Sequence, residues 1–372
     1  MNLSDVSQSD LMVPPPAIHE FPRYPLSWYL FGRAKDVRSR PVTRQVLGRE
    51  LVGFQTASGR IAILNARCGH QGADLGRGQV VGDAIQCPFH NWEYGPDGRC
   101  IRIPAQAEIP PHARQVTYPV EERHGYLYFF NAPHPLFSLP FLSEGPAEEF
   151  VAGKLLRFIG RFSWYMAAGN TFDCQHWSAS HNRAVHGRPK VDCPDPYARR
   201  IRFRAAVVGN SIFDRALRRF AGDSVDVSIT NWGGSFNLVT GSFQRVCSRL
   251  VVSYVPLNDG ESLEINVIVL ARRRQSQLGR ALIQPLSLWL RYLFTWGFVA
   301  DEFDRVVGIR YSPQTLIDAD GELIELFRWA AALPEEEAGT WSTCPSPEFQ
   351  PTGQQCAKVA FAGPTSLDKE ES

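Results

Sequence analysis

Two short segments hold most of the residues suited to metal chemistry. Cys68-Gly-His70 is followed, after sixteen residues, by Cys87-Pro-Phe-His90. Each pair sits in a loop-like context after a β-like run, Ile61 to Leu64 before the first and Ala84 to Gln86 before the second. Two loops, each offering one thiolate and one imidazole, can clamp a two-metal centre from opposite sides. A [2Fe-2S] cluster with two thiolates on one iron and two imidazoles on the other needs this stoichiometry. A Cys2His2 zinc site is the competing use of the same four residues. Zinc fingers space Cys with Cys and His with His, on a hairpin and a helix, so mixed pairs on two loops fit that use poorly.

A second dense segment is Asn170-Thr-Phe-Asp173-Cys-Gln-His176-Trp-Ser-Ala-Ser-His181. His176 and His181 are five apart. On a helix that kinks or ends near Ser178 to Ser180, both can project to one side. Two histidines and one carboxylate leave positions open on Fe(II) for O2 and a nearby substrate. A polar helix end with a capping Asp and surface His is the plainer use of the same residues. The carboxylate must come from elsewhere. Asp301, Glu302 and Asp304 lie on one helical stretch, and Asp301 and Asp304, spaced i,i+3, share a face.

The surroundings narrow the choice. Cys68-Gly-His-Gln-Gly-Ala-Asp-Leu75, Cys87-Pro-Phe-His-Asn-Trp92, Tyr94-Gly-Pro-Asp-Gly98 and Ile103-Pro104 resemble the Rieske domain of Rieske non-haem iron oxygenases. Asn91 stands where the usual glycine follows the second His. The order, Rieske loops and then N-x-x-D-x-x-H-x4-H, is similar to that of the terminal oxygenase (alpha-subunit-like) components, and the resemblance runs from about Trp28 to Leu333. The His and Asp segments resemble those of aminopyrrolnitrin oxygenase-type monooxygenases.

The resemblance implies a Rieske [2Fe-2S] cluster on Cys68, His70, Cys87 and His90, and a mononuclear Fe(II) on His176 and His181. The run from Phe303 to Pro313 resembles the family's Asp segment and implies Asp304 as third ligand, with Asp301 as runner-up. Asn170 and Asp173 take catalytic positions by the same likeness. Asp173 is expected to bridge His176 and His90 of a neighbouring subunit in a head-to-tail homotrimer. The implied fold is α+β: an all-β Rieske domain, then a catalytic domain with an antiparallel sheet flanked by helices (helix-grip-like).

The implied activity is O2-dependent oxygenation of an apolar, aromatic small molecule by hydroxylation, N-oxygenation or demethylation. Monooxygenation is favoured and dioxygenation stays open. Oxidative cyclisation or desaturation, and a non-catalytic Rieske electron-transfer protein, are the alternatives. Electron carriers of the Rieske type have an extra Cys in each loop, joined as a disulfide, and neither loop has one here. No G-x-G-x-x-G unit or Walker A motif is present, so electrons are expected from a ferredoxin or NAD(P)H-dependent reductase.

The elements that must position these residues read as follows. Residues 1–24 suggest a flexible arm without a signal-peptide pattern. Residues 25–135 show short β-like runs between Gly and Pro and read as the Rieske domain. Residues 133–146 read as a linker. Residues 147–340 alternate like an antiparallel sheet, with helices around 167–179, 277–309 and 315–333, and read as the catalytic domain. Residues 345–372 are polar and read as a disordered tail. The apolar stretch 281–300 is interrupted by Pro285 and Arg291 and is expected as a buried helix, not a membrane span, and association with a membrane is not expected.

Composition agrees with a large globular chain. The 372 residues carry a net charge of +1, which argues against a nucleic-acid partner. Eight cysteines are too sparse for a disulfide scaffold and suit reduced thiols in the cytoplasm. Within the neutral total, residues 188–219 hold nine Lys or Arg against three Asp, a local excess of six. That segment is either a solvated face or a docking surface for an acidic electron donor. The aromatic runs 230–238 and 289–298 are candidate pocket walls.

Overall fold

A computed structural model describes residues 14–257 and 262–335. The expected tail at 345–372 lies outside the described residues, as do residues 1–13 of the expected arm.

The first half of the chain folds into short strands. β1 (Trp28–Arg33) leads to a short helix α1 (Ala34–Ser39), then β2 (Val42–Val46), β3 (Arg49–Gln55) and β4 (Ile61–Asn65). β5 (Gln79–Val81), β6 (Ala84–Gln86), β7 (Glu93–Tyr94) and β8 (Cys100–Arg102) follow, then β9 (Thr117–Tyr118), β10 (Val120–Arg123) and β11 (Tyr126–Phe130). They make three small sheets, ordered β1-β11-β10, β2-β3-β4-β9 and β5-β6-β7-β8. Two hairpins close with two-residue turns in which both residues have positive φ. These are Leu47-Gly48 between β2 and β3, and His124-Gly125 between β10 and β11. Such turns match the right-handed twist of the strands they join.

The second half is one large antiparallel sheet with helices. Its elements are β12 (Phe150–Arg161), α2 (Trp164–Gly169), α3 (Cys174–Ala179), β13 (Arg183–Asp195), β14 (Ala198–Val207) and α4 (Ile212–Phe220). β15 (Ser224–Trp232), β16 (Phe236–Phe243), β17 (Cys247–Pro256), β18 (Ser262–Arg272), α5 (Gln284–Val306) and α6 (Gly321–Ala331) complete it. The seven strands run in the order β12-β18-β17-β16-β15-β14-β13. Alternation along the strands splits the side chains between two cores. Leu238, Val251, Ile268 and Leu270 pack with Trp28, Tyr29, Phe129 and Phe130 of the small sheets. Ile201, Val227, Ile229 and Tyr254 pack with Trp164 of α2, Phe172 of the turn after it, and Phe327 and Trp329 of α6. A third core, with Phe54, Leu64, Ile85 and Tyr94, encloses Cys68 and Cys87. A part-buried ion pair, Arg44 to Glu264 at 2.6 Å, ties β2 to β18.

The structure departs from the sequence reading at three places. Residues 14–24, expected in a flexible arm, are packed. Phe21 stacks on Tyr165 with centroids 3.9 Å apart, and Pro22 O accepts a hydrogen bond from Trp164 Nε1 at 3.0 Å. The helix expected over 167–179 is two short helices, α2 and α3, because residues 170–173 turn between them. The apolar stretch 281–300 is helical but not buried. Leu286, Trp289, Leu290, Leu293, Phe294 and Trp296 are 40–56% exposed, while Gln284 and Thr295 of the same helix are buried. Among the described residues, no helix is long and apolar enough to cross a membrane.

Candidate functional site

The first cluster of donors lies where two hairpin loops meet. Cys68 and Cys87 end the runs that follow β4 and β6, and both are buried. Their backbone N–H groups close tight turns to Ala73 O and Trp92 O, at 2.9 and 2.8 Å. The two histidines stand outward and are exposed, with His70 Nδ1 and His90 Nδ1 3.1 Å apart. Trp92 stacks flat on His70, centroids 4.5 Å apart and planes within 5°. Tyr94 Oη lies 3.2 Å from Cys68 Sγ. Burial pushes the Cys87 thiol up, against backbone N–H groups of Phe89 and His90 that favour the thiolate. Two buried sulfurs and two facing imidazole nitrogens fit a cluster with thiolates on the inner metal and imidazoles on the outer one.

Asn91, two residues after the loop's proline-phenylalanine pair, has φ of +57°. A left-handed position of this kind suits the asparagine that stands here. Asn tolerates that region better than other residues with a Cβ.

The second cluster is built by α2, α3 and α5. Asp173 caps α3, its Oδ1 accepting from His176 N at 2.9 Å. His176 lies on α3, and His181 lies just beyond the helix end, before β13. Their Nε2 atoms are 3.0 Å apart. The carboxylate beside them belongs to Glu302, with Oε1 2.9 Å from His176 Nε2 and Oε2 3.2 Å from His181 Nε2. Glu302 Oε2 is buried and has no partner other than His181. Burial opposes ionisation of Glu302, but hydrogen bonds and attraction from His176 and His181 outweigh it and hold the carboxyl at about 2.

The expectation that Asp304 or Asp301 completes this set is therefore corrected. Asp301 is exposed and pairs with Arg305 at 3.0 Å, while Asp304 is exposed and outside the cluster. The cause is helical rotation of about 100° per residue. Gln284, Thr295, Glu302 and Val306 follow one inward stripe, spaced by 11, 7 and 4 residues. Asp301 and Asp304 turn away by one and two residue steps. Extending that stripe along the sequence pattern would have pointed to Glu302.

Surrounding groups fix the three donors. Asn170 Nδ2 donates to Glu302 Oε1. Phe298 stacks on His181 at 4.2 Å, and Trp177 packs against the same ring at 5.2 Å. Asn231 and Asn237, both fully buried, hydrogen bond to each other at 2.7 Å, and Asn237 reaches Thr171 Oγ1 at 3.1 Å and Tyr254 Oη at 2.8 Å. The run 230–238, a candidate pocket wall in the sequence, thus supplies a polar network that holds the 170–173 turn. Gly160 of β12 lets α5 approach, since a Cβ there would lie 2.7 Å from Phe303.

Metal–ligand bonds near 2.1 Å at right angles set neighbouring donors about 3.0 Å apart. The donor separations of 2.9, 3.0 and 3.2 Å fit that spacing, and three donors on one side leave the other side open.

The basic segment 188–219 is compensated in part. Asp192 pairs with Arg200 at 2.7 Å and Arg202 at 2.8 Å, Asp226 pairs with Arg204 at 2.7 Å, and Arg199 lies over the Trp329 ring.

Comparison with known proteins agrees with this architecture. Residues 27–117 match the Rieske [2Fe-2S] domain. The chain carries a Rieske domain. Over 171 residues it is 31% identical to aminopyrrolnitrin oxygenase of Pseudomonas fluorescens, which covers 43% of this chain and 46% of that protein. Over 112 residues it is 38% identical to the oxygenase component of a Rhodococcus rhodochrous 3-ketosteroid-9-alpha-monooxygenase, 30% of this chain and 29% of that protein. The chain thus spans less than half the length of each of these relatives. A structure of dicamba monooxygenase with non-haem iron and dicamba shares the fold beyond the Rieske domain. Its TM-score is 0.58 at 17% identity, covering 83% of this chain and 96% of that one.

Proposed function

We propose that this protein is the terminal oxygenase of a multicomponent Rieske system. The triad His176–His181–Glu302, with His181 buried and the other two half-buried, lies in the same chain as the Rieske domain and carries this reading. It separates an oxygenase from an electron carrier, which needs only the Rieske loops. Cys68, Cys87, His70 and His90 would hold the cluster. His176, His181 and Glu302 would hold one Fe(II), which when bound supplies the redox chemistry of O2.

The residues of the chain have definable tasks. Asn170 orients the Glu302 carboxylate. Phe298 and Trp177 fix the plane of His181 and present aromatic surface beside it. That surface, and the named activities of the relatives, support an apolar, aromatic substrate. The outward His70, His90 and Phe89 (60% exposed) support docking of the cluster loop on another protein surface. Asp173 of a neighbouring copy in a homotrimer is the surface we assign to it, and a ferredoxin or reductase is the electron source.

The test is single turnover. Protein reduced chemically, then mixed with O2 and a panel of aromatic amines, ethers and steroids, should yield oxygenated product in proportion to the triad iron. Cluster oxidation without product, for every substrate and with the triad iron present, would reject an oxygenase.

A further inference from the structure

α5 is inside out for a helix on a water-facing surface. Two of its three buried positions are polar, Gln284 and Thr295 beside Val306, and half-buried Arg291 donates from Nη1 to Cys247 O at 2.6 Å. Its outward positions are Leu286, Trp289, Leu290, Leu293, Phe294 and Trp296. The ridge continues onto α4, where Phe213 meets Phe294 edge-on at 5.9 Å and Phe220 is 72% exposed. Contiguous exposed apolar surface of this extent marks an interaction site.

The charge around the ridge is mainly positive, with Arg272 of its arginines paired to Glu149 at 3.0 Å. From residue 265 to 300 the chain has five arginines (272, 273, 274, 280 and 291) and no acidic residue. Arg273, Arg274 and Arg280, at the head of α5, are exposed, as are Arg215 and Arg219 on α4. A cleft of about 1080 Å³ beside Pro285, Leu288 and Trp289 is lined by Arg33, Lys35, Arg44, Lys154 and Arg157 against the single acid Asp36. Apolar side chains with tryptophan, flanked by arginine and lacking acids, are the composition of a helix that lies in a membrane interface.

We propose that the outward face of α5, continued by α4, seats on a bilayer surface containing anionic lipids. The apolar ridge enters the boundary between headgroups and chains, and the arginines meet lipid phosphates. The chain does not cross the bilayer. Where the oxygenase reading holds, this seat sets the helix that carries Glu302 and Phe298 beside a reservoir of apolar substrate. The seat itself does not depend on that reading.

The test is flotation of the full purified chain with phosphatidylcholine vesicles, with and without phosphatidylglycerol, alongside light scattering for mass. Binding to the anionic vesicles, weakened by salt, is expected. Arg274→Ser with Arg280→Ser should lower it about fivefold per arginine. Trp289→Ser with Trp296→Ser should lower it at least as much, with circular dichroism and the thermal midpoint confirming a folded chain. In the unaltered chain, tryptophan emission should shift blue on the vesicles and resist aqueous quencher. No binding to either vesicle overturns the proposal. So does an unchanged affinity in both variants. A fall in oligomer mass in the tryptophan variant, without vesicle binding by the parent, assigns the face to a second copy and also overturns it. Binding that arises only in a chain ending at residue 335 assigns the face to the protein's own C-terminal residues and overturns it too. Because no outcome is read from turnover or iron content, failure here leaves the oxygenase reading standing.

Discussion

Glu302→Ala is the substitution that weighs most on the proposed triad. The carboxylate oxygens lie 2.9 and 3.2 Å from the two Nε2 atoms, and the Nε2 atoms are 3.0 Å apart. An ion with bonds of about 2.1 Å at right angles wants donors about 3.0 Å apart, so all three reach it at once. A structural metal site with four ligands binds with roughly 10–16 kcal/mol, or about 3 kcal/mol for each ligand. Losing one should weaken iron binding by roughly a hundredfold or more, since each 1.4 kcal/mol is about tenfold. Glu302→Asp withdraws the carboxylate by about one carbon–carbon bond, roughly 1.5 Å, and should lose most of that affinity as well. Asp301→Ala and Asp304→Ala should retain the iron. The assay is a chelator competition that counts iron beyond the two atoms of the cluster, with the visible Rieske spectrum as an internal standard. If Glu302→Ala holds its extra iron while Asp304→Ala loses it, the geometric argument fails.

Other outcomes follow from the same geometry. Cys87→Ser should abolish the cluster's visible absorption and leave triad iron in place, which metal analysis would show. Asp173→Asn keeps a competent helix cap, so both metals should stay, while electron transfer to the triad slows in stopped flow; normal transfer would reject the bridging role. Asn91→Gly should be neutral, whereas Asn91→Val should cost about 1–2 kcal/mol in denaturant unfolding, because φ of +57° is strained for a β-branched residue. Asp214 is buried against ionisation, but hydrogen bonds from Ser211 and Arg183 hold its carboxyl below the ordinary value. A depressed carboxyl contributes stability above the unfolded value of about 3.9 and loses it as pH falls through the folded value. Asp214→Asn should therefore flatten the loss of thermal stability on acidification below about pH 4.

The Rieske loops were legible because their chemistry is local. Each pair of ligands lies within four residues, and the glycine and proline punctuation marks the loops that carry them. His176 and His181 were legible for the same reason. The place of Glu302 beside them was not, because it depends on which way a helix of 23 residues is turned. Neighbouring acids at 301 and 304 offered the same chemistry, and a likeness to related Asp segments favoured one of them. The contacts that decide among the three come from Asn170 and from two histidines more than 120 residues away. The broad fold followed from alternation in the strands, but the split into α2 and α3 did not. It rests on Asp173 capping α3, a local signal, and on buried Asn237 reaching Thr171 in the intervening turn, a tertiary contact with no local signature.

One physical cause underlies both departures of α5 from its sequence pattern. Apolar content in a chain of balanced charge suggested a buried element, and burying each large apolar side chain is worth about 1.5–3 kcal/mol. Six such side chains facing outward forgo a large stabilisation in water, so a fold that keeps them there needs another apolar surface to meet. The inward face has a different duty. It must place a carboxylate beside two imidazoles and an arginine against a strand carbonyl, and an apolar stripe could do neither. Polar function inside thus displaces the apolar residues to the outside. A Thr295→Leu change should test this coupling. If the inward face only packs, Thr295→Leu should be neutral or stabilising in denaturant unfolding. If that face lines space reserved for substrate beside the triad, stability should hold while iron binding persists and substrate affinity changes.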